Sequence, residues 1–141
     1  MQRAYSLPEL VLVLALAGVL LAIALPRLPA VLDGIEVQAA AGRLAAAHQR
    51  ARMMAVAQSR VLVLTISQSQ VSIRPREAVV SVWSEPGPAA SGVILAGVSR
   101  QFTFSPEGLT LGLSNATLRL TRGLAARSVI VSRLGRVRIV R

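Results

Sequence analysis

The 141-residue chain has no cysteine, no lysine, one histidine, one tryptophan, one tyrosine and two phenylalanines. Without cysteine, neither a disulfide framework nor a thiolate metal site can form. Packing alone must hold the fold, which leaves a destination outside the cytoplasm open. With so few rings, the core has to be built from Ala, Val, Leu and Ile. One histidine and six scattered acids place no base beside any serine. No glycine-rich phosphate loop follows a strand-like run. An enzyme is not expected, and neither is a metal, a nucleotide or another cofactor.

The charge that is present has mostly one sign. The net charge is +10, and every basic residue is arginine. No acid follows Glu107, whereas Arg119, Arg122, Arg127, Arg133, Arg136, Arg138 and Arg141 all do. Such a tail suits an anionic partner: nucleic acid, lipid headgroups or an acidic protein face. A solvated face that keeps an apolar domain soluble accounts for the charge equally well.

Between Leu10 and Leu25 there is no charge. A helix of this run, extended by Tyr5–Pro8 and Leu28, reaches the thickness of a hydrocarbon core, about 30 Å. Arg3 before it favours a cytoplasmic N-terminus. A cleaved secretory signal would use Ala22-Ile23-Ala24 as its small-x-small site. However, Glu9 would then interrupt a region that should be smoothly apolar. A plain membrane anchor explains the length but not Glu9, which directly follows Pro8.

Ala4-Tyr5-Ser6-Leu7-Pro8-Glu9-Leu10 resembles the processing site of type IV pilins and type II secretion pseudopilins. The resemblance implies a leader of residues 1–4, cleavage after Ala4 by a prepilin peptidase, and N-methylation of the new terminus at Tyr5. It makes Glu9 the fifth mature residue, whose carboxylate meets the free α-amine of a neighbouring subunit during assembly. An acid at the bilayer edge is costly unless paired, so the pair would act as a register device.

Beyond Pro26 and Pro29, which interrupt or kink a helix, Val37, Ala41, Leu44, His48, Ala51 and Ala55 recur at steps of three and four. They form one helical face. His48 on this stripe reads as a packed residue and not as a ligand. After Gln58 the period becomes two. Strands are expected at 60–66, 70–74, 78–83, 93–98, 101–104, 116–121, 127–132 and 136–140. Loops or turns are expected at 85–92, 105–108 and 132–135. The expected class is α+β: a long N-terminal helix, then an antiparallel all-β head. The divisions are a leader (1–4), a transmembrane half-helix (5–29), an amphipathic half-helix (30–58) and the head (59–141).

Phe104-Ser105-Pro106-Glu107-Gly108, Arg127–Ser132 and Gly135-Arg136-Val137-Arg138 resemble the H-type pseudopilin and FimT-type minor pilin domain. The resemblance implies a structural subunit of a type II secretion pseudopilus, single-pass in a bacterial inner membrane with its head in the periplasm. Its partners would be other pseudopilins or pilins, the prepilin peptidase, the inner-membrane assembly platform and membrane lipid. The alternative is a type IV pilus minor pilin active in DNA uptake. There, Arg136 and Arg138 on one side of the last strand, with Arg133 at the turn, would bind DNA phosphates. No aromatic residue accompanies them, so such binding would be sequence-independent and salt-sensitive.

Overall fold

The computed structural model describes residues 6–112 and 114–141, and its longest element is the apolar helix. Helix α1 spans Leu7–Ala24, with Ser6 as an extended N-cap and Pro8 in the first turn. Proline is tolerated there because the early helical N–H groups have no partner anyway. The 3-10 turn Leu25–Arg27 contains Pro26, and α2 (Leu28–Ala57) begins with Pro29 near its start. The two prolines therefore tighten the path without ending it. The helical stretch Leu7–Ala57 covers 51 residues, roughly 75 Å at helical rise.

No residue of α1 is buried. In α2, Val37, Ala40, Ala41, Leu44, Ala47, His48, Ala51 and Ala55 are all buried. The six positions read from sequence as one face are among them. That stripe packs into a head of two antiparallel sheets. The first has the order β3-β2-β1-β5-β6 and the second β4-β7-β8-β9. The strands are β1 Leu62–Ile66, β2 Gln70–Pro75, β3 Trp83–Pro86, β4 Ile94–Ala96, β5 Arg100–Phe104, β6 Thr110–Leu111, β7 Ala116–Arg122, β8 Ala125–Val131 and β9 Val137–Val140.

The core joins the alanine-rich helix face to Leu62, Leu64, Ile66, Val71, Ile73, Phe102 and Phe104 of the first sheet. From the second sheet it takes Leu118, Leu120, Val129 and Val131. Alternating residues of each strand supply these side chains, as expected for sheets buried on one face.

Three elements depart from the sequence reading. The strand expected at 78–83 begins only at Trp83. Ala78 donates to the Pro75 carbonyl at 3.1 Å, and the Arg74 guanidinium donates to the Ala78 carbonyl at 3.1 Å. Those bonds turn the chain outward, so Val79 and Val80 lie 95% and 78% exposed. Conversely, Glu85 and Pro86, expected in a loop, belong to β3, where Pro86 pairs with Gln70. β3 is an edge strand, a place where a missing N–H is tolerated. The short β6 pairs with β5 through Thr103–Leu111 and Phe104–Thr110, and it was not expected at all.

Candidate functional site

Two places carry the residues singled out by sequence. The first is the start of α1. Glu9 lies in its first turn, and the backbone N–H groups of Glu9 and Leu10 both donate to the Ser6 carbonyl, at 3.0 and 3.1 Å. A carboxylate there meets the positive end of the helix dipole. Around it Leu7, Leu10, Val11, Leu12 and Val13 are all more than half exposed. The ion pairs among the described residues are Arg43–Glu36 and Arg122–Asp33, so Glu9 has no cationic partner within the described part of its own chain. Ala4 and Tyr5, the expected processing residues, lie outside the described residues.

The second place is the β8–β9 hairpin. Its turn is tied by Gly135 N–H to the Ser132 carbonyl, Ser132 N–H to the Arg136 carbonyl, both 2.9 Å, and Arg136 N–H to Ser132 Oγ at 3.1 Å. Gly135 has φ +72°, and a Cβ there would press on Thr110 Cγ2 at 3.3 Å. The backbone conformation is what favours glycine here, and the close methyl adds to the crowding. The Arg133 carbonyl accepts from Ser114 Oγ at 3.0 Å, and Thr110 Oγ1 lies 3.1 Å from the same oxygen. The turn is thus tied within the hairpin and braced from outside it.

The hairpin has the expected sidedness. Val137 and Ile139 pack against the core, whereas Arg136 and Arg138 are exposed. Arg138 stands opposite Ile130 in the β8–β9 register. A groove runs between this hairpin and α2, and both arginines line it together with Gln49 and Arg52 of the helix. Arg133 is exposed at the turn but outside that lining. Sequence reasoning missed Arg52. The spacing of the helical arginines does not separate it from Arg43 and Arg50, and only the tertiary fold brings it to the hairpin.

Other arginines of the basic tail have internal work. Arg122 Nε lies 2.9 Å from the Asp33 carboxylate, and a second guanidinium nitrogen donates to the Ser91 carbonyl. Arg127 Nε donates to Gln38 Oε1 at 2.9 Å. Both contacts fasten the second sheet to α2. Arg50 instead covers the ring of Trp83 at 4.9 Å, a cation–π contact on the first sheet.

His48 sits beneath the groove. It is 1% exposed, and neither ring nitrogen has a hydrogen-bond partner. Its ring meets Phe104 edge-on at 4.9 Å and Phe102 at 5.6 Å. Burial, aided by the nearby Arg52 cation, lowers its pKa from 6.5 to about 4. It is a neutral core residue, packed as its place on the stripe suggested.

That burial predicts an acid sensitivity. The folded pKa lies below the unfolded one, so the unfolded chain binds the extra proton and stability rises with pH between them. The contribution is complete above about pH 6.5 and is lost as pH falls toward about 4. The loss amounts to about 3 kcal/mol. Urea unfolding of the full chain in detergent, followed by the emission of the single Trp83, should show this slope. His48→Phe should flatten it. A wild-type midpoint unchanged between pH 7 and pH 4.5 would refute the neutral assignment.

The family model of the type II transport protein GspH matches residues 40–135. Two crystal structures of the type IV minor pilin FimU from Pseudomonas aeruginosa share the fold. One superposes with a TM-score of 0.61 at 21% identity, covering 75% of this chain and 89% of that one. The other gives 0.57 at 19%, covering 74% and 92%. No curated relative matches the chain by sequence.

Proposed function

Because the chain belongs to the family of the type II transport protein GspH, we propose that it is a minor pseudopilin of a protein-secretion pseudopilus. The observation that carries this reading is the continuity of the helix. An apolar half with no buried residue runs directly into the half that forms the spine of the head. An apolar rod of this kind is stable in only two surroundings, a bilayer or a bundle of like rods, and a pseudopilin occupies each in turn. Insertion would leave the head in the periplasm. Cleavage after Ala4 would free the Tyr5 amine, and Glu9 of an adjoining subunit would take it up. The energy for extrusion would come from the assembly platform. Deleting the gene should abolish export through the secretion system and spare DNA uptake. The mature protein should begin at Tyr5 on N-terminal sequencing. Normal export in the deletion strain, or a mature start at Leu25, would overturn the reading.

The convergence of Arg52 on Arg136 and Arg138 favours a second reading: a type IV pilus minor pilin that holds DNA by its backbone. Three guanidiniums along one groove suit phosphate oxygens. On this reading the full chain binds duplex DNA without sequence preference. Each of Arg52→Ala, Arg136→Ala and Arg138→Ala should weaken binding alike for all sequences. Each should also reduce the slope of log affinity against log salt by about 0.9. No binding even at low salt eliminates this reading and leaves the first intact.

A further inference from the structure

Leu124 is 100% exposed, an unusual setting for a leucine at the tip of a tight hairpin. Its loop has two residues, because Arg122 pairs with Ala125 across β7 and β8. Gly123 takes the first position at φ +53°, the requirement of a II′ hairpin turn. The second position is the one left free to project, and polar residues are common there. Here it carries a large apolar side chain.

The fold sets the height of this tip. Gly123 lies so close to α2 that a Cβ on it would overlap the Asp33 carboxylate. Asp33 is the first acid after Glu9, and Arg27 is the only charge in the 23 residues between them. Those residues rise about 35 Å as a helix. A bilayer has a core of about 30 Å and spans 40–45 Å with its headgroups. With Glu9 at one boundary, Asp33 and the adjoining Leu124 emerge at the other, within the headgroup layer. Arg27 can reach the same layer by extending its stem. Helix residues at this level, Leu28, Val31, Leu32 and Ile35, are more than half exposed. The apolar surface of the anchor is thus continuous with the level of the tip. The Arg122 guanidinium at the base of the turn is held by Asp33 and the Ser91 carbonyl. The tip therefore offers an apolar side chain, not a free charge.

We propose that the Gly123-Leu124 tip is a second membrane contact, with Leu124 inserting into the interfacial layer of the bilayer that holds α1. This inference rests on reading α1 as a membrane anchor. Two points of contact, the helix and the hairpin, fix the tilt and rotation of the head above the membrane before assembly. A single helix would leave rotation free. The contact is apolar and so does not require anionic lipid.

The absence of cysteine makes the test direct. The full chain carries a single environment-sensitive fluorophore at Leu124→Cys, Leu134→Cys or Leu16→Cys and is reconstituted into phosphatidylcholine vesicles. The vesicles contain spin-labelled lipid that quenches either near the headgroup or deep in the chains. Leu134 is also exposed, but its turn packs beside His48, roughly 20 Å further along the helix from Asp33. The expected result is deep quenching at position 16, shallow quenching with blue-shifted emission at 124, and water-like emission at 134. Water-like emission at 124 with deep quenching at 16 overturns the proposal and leaves the anchor standing. Water-like emission at 16 removes the anchor itself, and the proposal with it. Shielding of 124 that arises only when other subunits are added assigns the tip to a protein neighbour and overturns the proposal. Unchanged Trp83 emission in the three variants verifies that the head is folded.

Discussion

Phe104→Ala is expected to lower the stability of the head by about 3–5 kcal/mol, the usual cost of emptying a fully buried aromatic site. Small domains have only about 5–15 kcal/mol in total, so most of it would go. The reason lies in the material around the ring. Phe104 is 0% exposed, and the helix facing the sheets contributes Ala40, Ala41, Ala47, Ala51 and Ala55. Alanine has no side-chain freedom with which to fill a vacated volume, and interiors collapse only partly. The ring also shields His48 at 4.9 Å. Removing it admits water to an imidazole whose ring nitrogens have no hydrogen-bond partner. The histidine pKa then moves back toward 6.5, so the acid sensitivity of the variant becomes smaller as its total stability falls. Urea unfolding at two pH values measures both effects. A loss below about 1 kcal/mol would mean that the core repacks freely around the site.

Glu9→Gln is expected to leave membrane insertion and processing intact while reducing incorporation into filaments at least tenfold. Glutamine keeps the shape and most of the hydrogen-bonding capacity and loses only the charge. Tenfold corresponds to about 1.4 kcal/mol, a modest demand on the proposed pair between Glu9 and a neighbour's amine in a medium of low dielectric. There the attraction far exceeds its value in water, although desolvation offsets much of it. The position of Glu9 in the first helical turn bears on the outcome. The helix dipole already stabilises a negative charge there, so the unpaired carboxylate can wait at the membrane surface. The measurement is the ratio of sheared-filament to membrane-bound subunit for wild type and variant. An unchanged ratio would show that register is set by apolar contacts alone.

The helix and most strands were legible because their signals are local. The stripe from Val37 to Ala55 has one period along 19 residues, and each of its members is buried. The turn at Ser132–Gly135 announced itself by serine and glycine at the right interval, and its bonds follow. What failed to show was decided at a distance. Ala78–Val82 alternates like a strand, but the Arg74 side chain and the Pro75 carbonyl pull it out of the sheet. Two-residue β6 is too short for any periodicity. In the site, Arg136 and Arg138 could be paired from strand geometry. Arg52 could not, since only the packing of α2 on β8 and β9 brings it near. The same holds for Arg122 and Asp33, joined across 89 positions of chain.

The alanine seam of α2 also constrains how this protein can vary. At Ala40, Ala41, Ala47, Ala51 and Ala55 nearly every possible change enlarges a side chain that is already buried against the sheets, and overpacking a core is costly. The exception is glycine, which fits but weakens a helix interior by about 1 kcal/mol at each site. The seam is closed to drift from both directions. Substitutions that leave the core intact therefore fall outside this seam, on the exposed apolar half of the helix and on the edges and tips of the sheets.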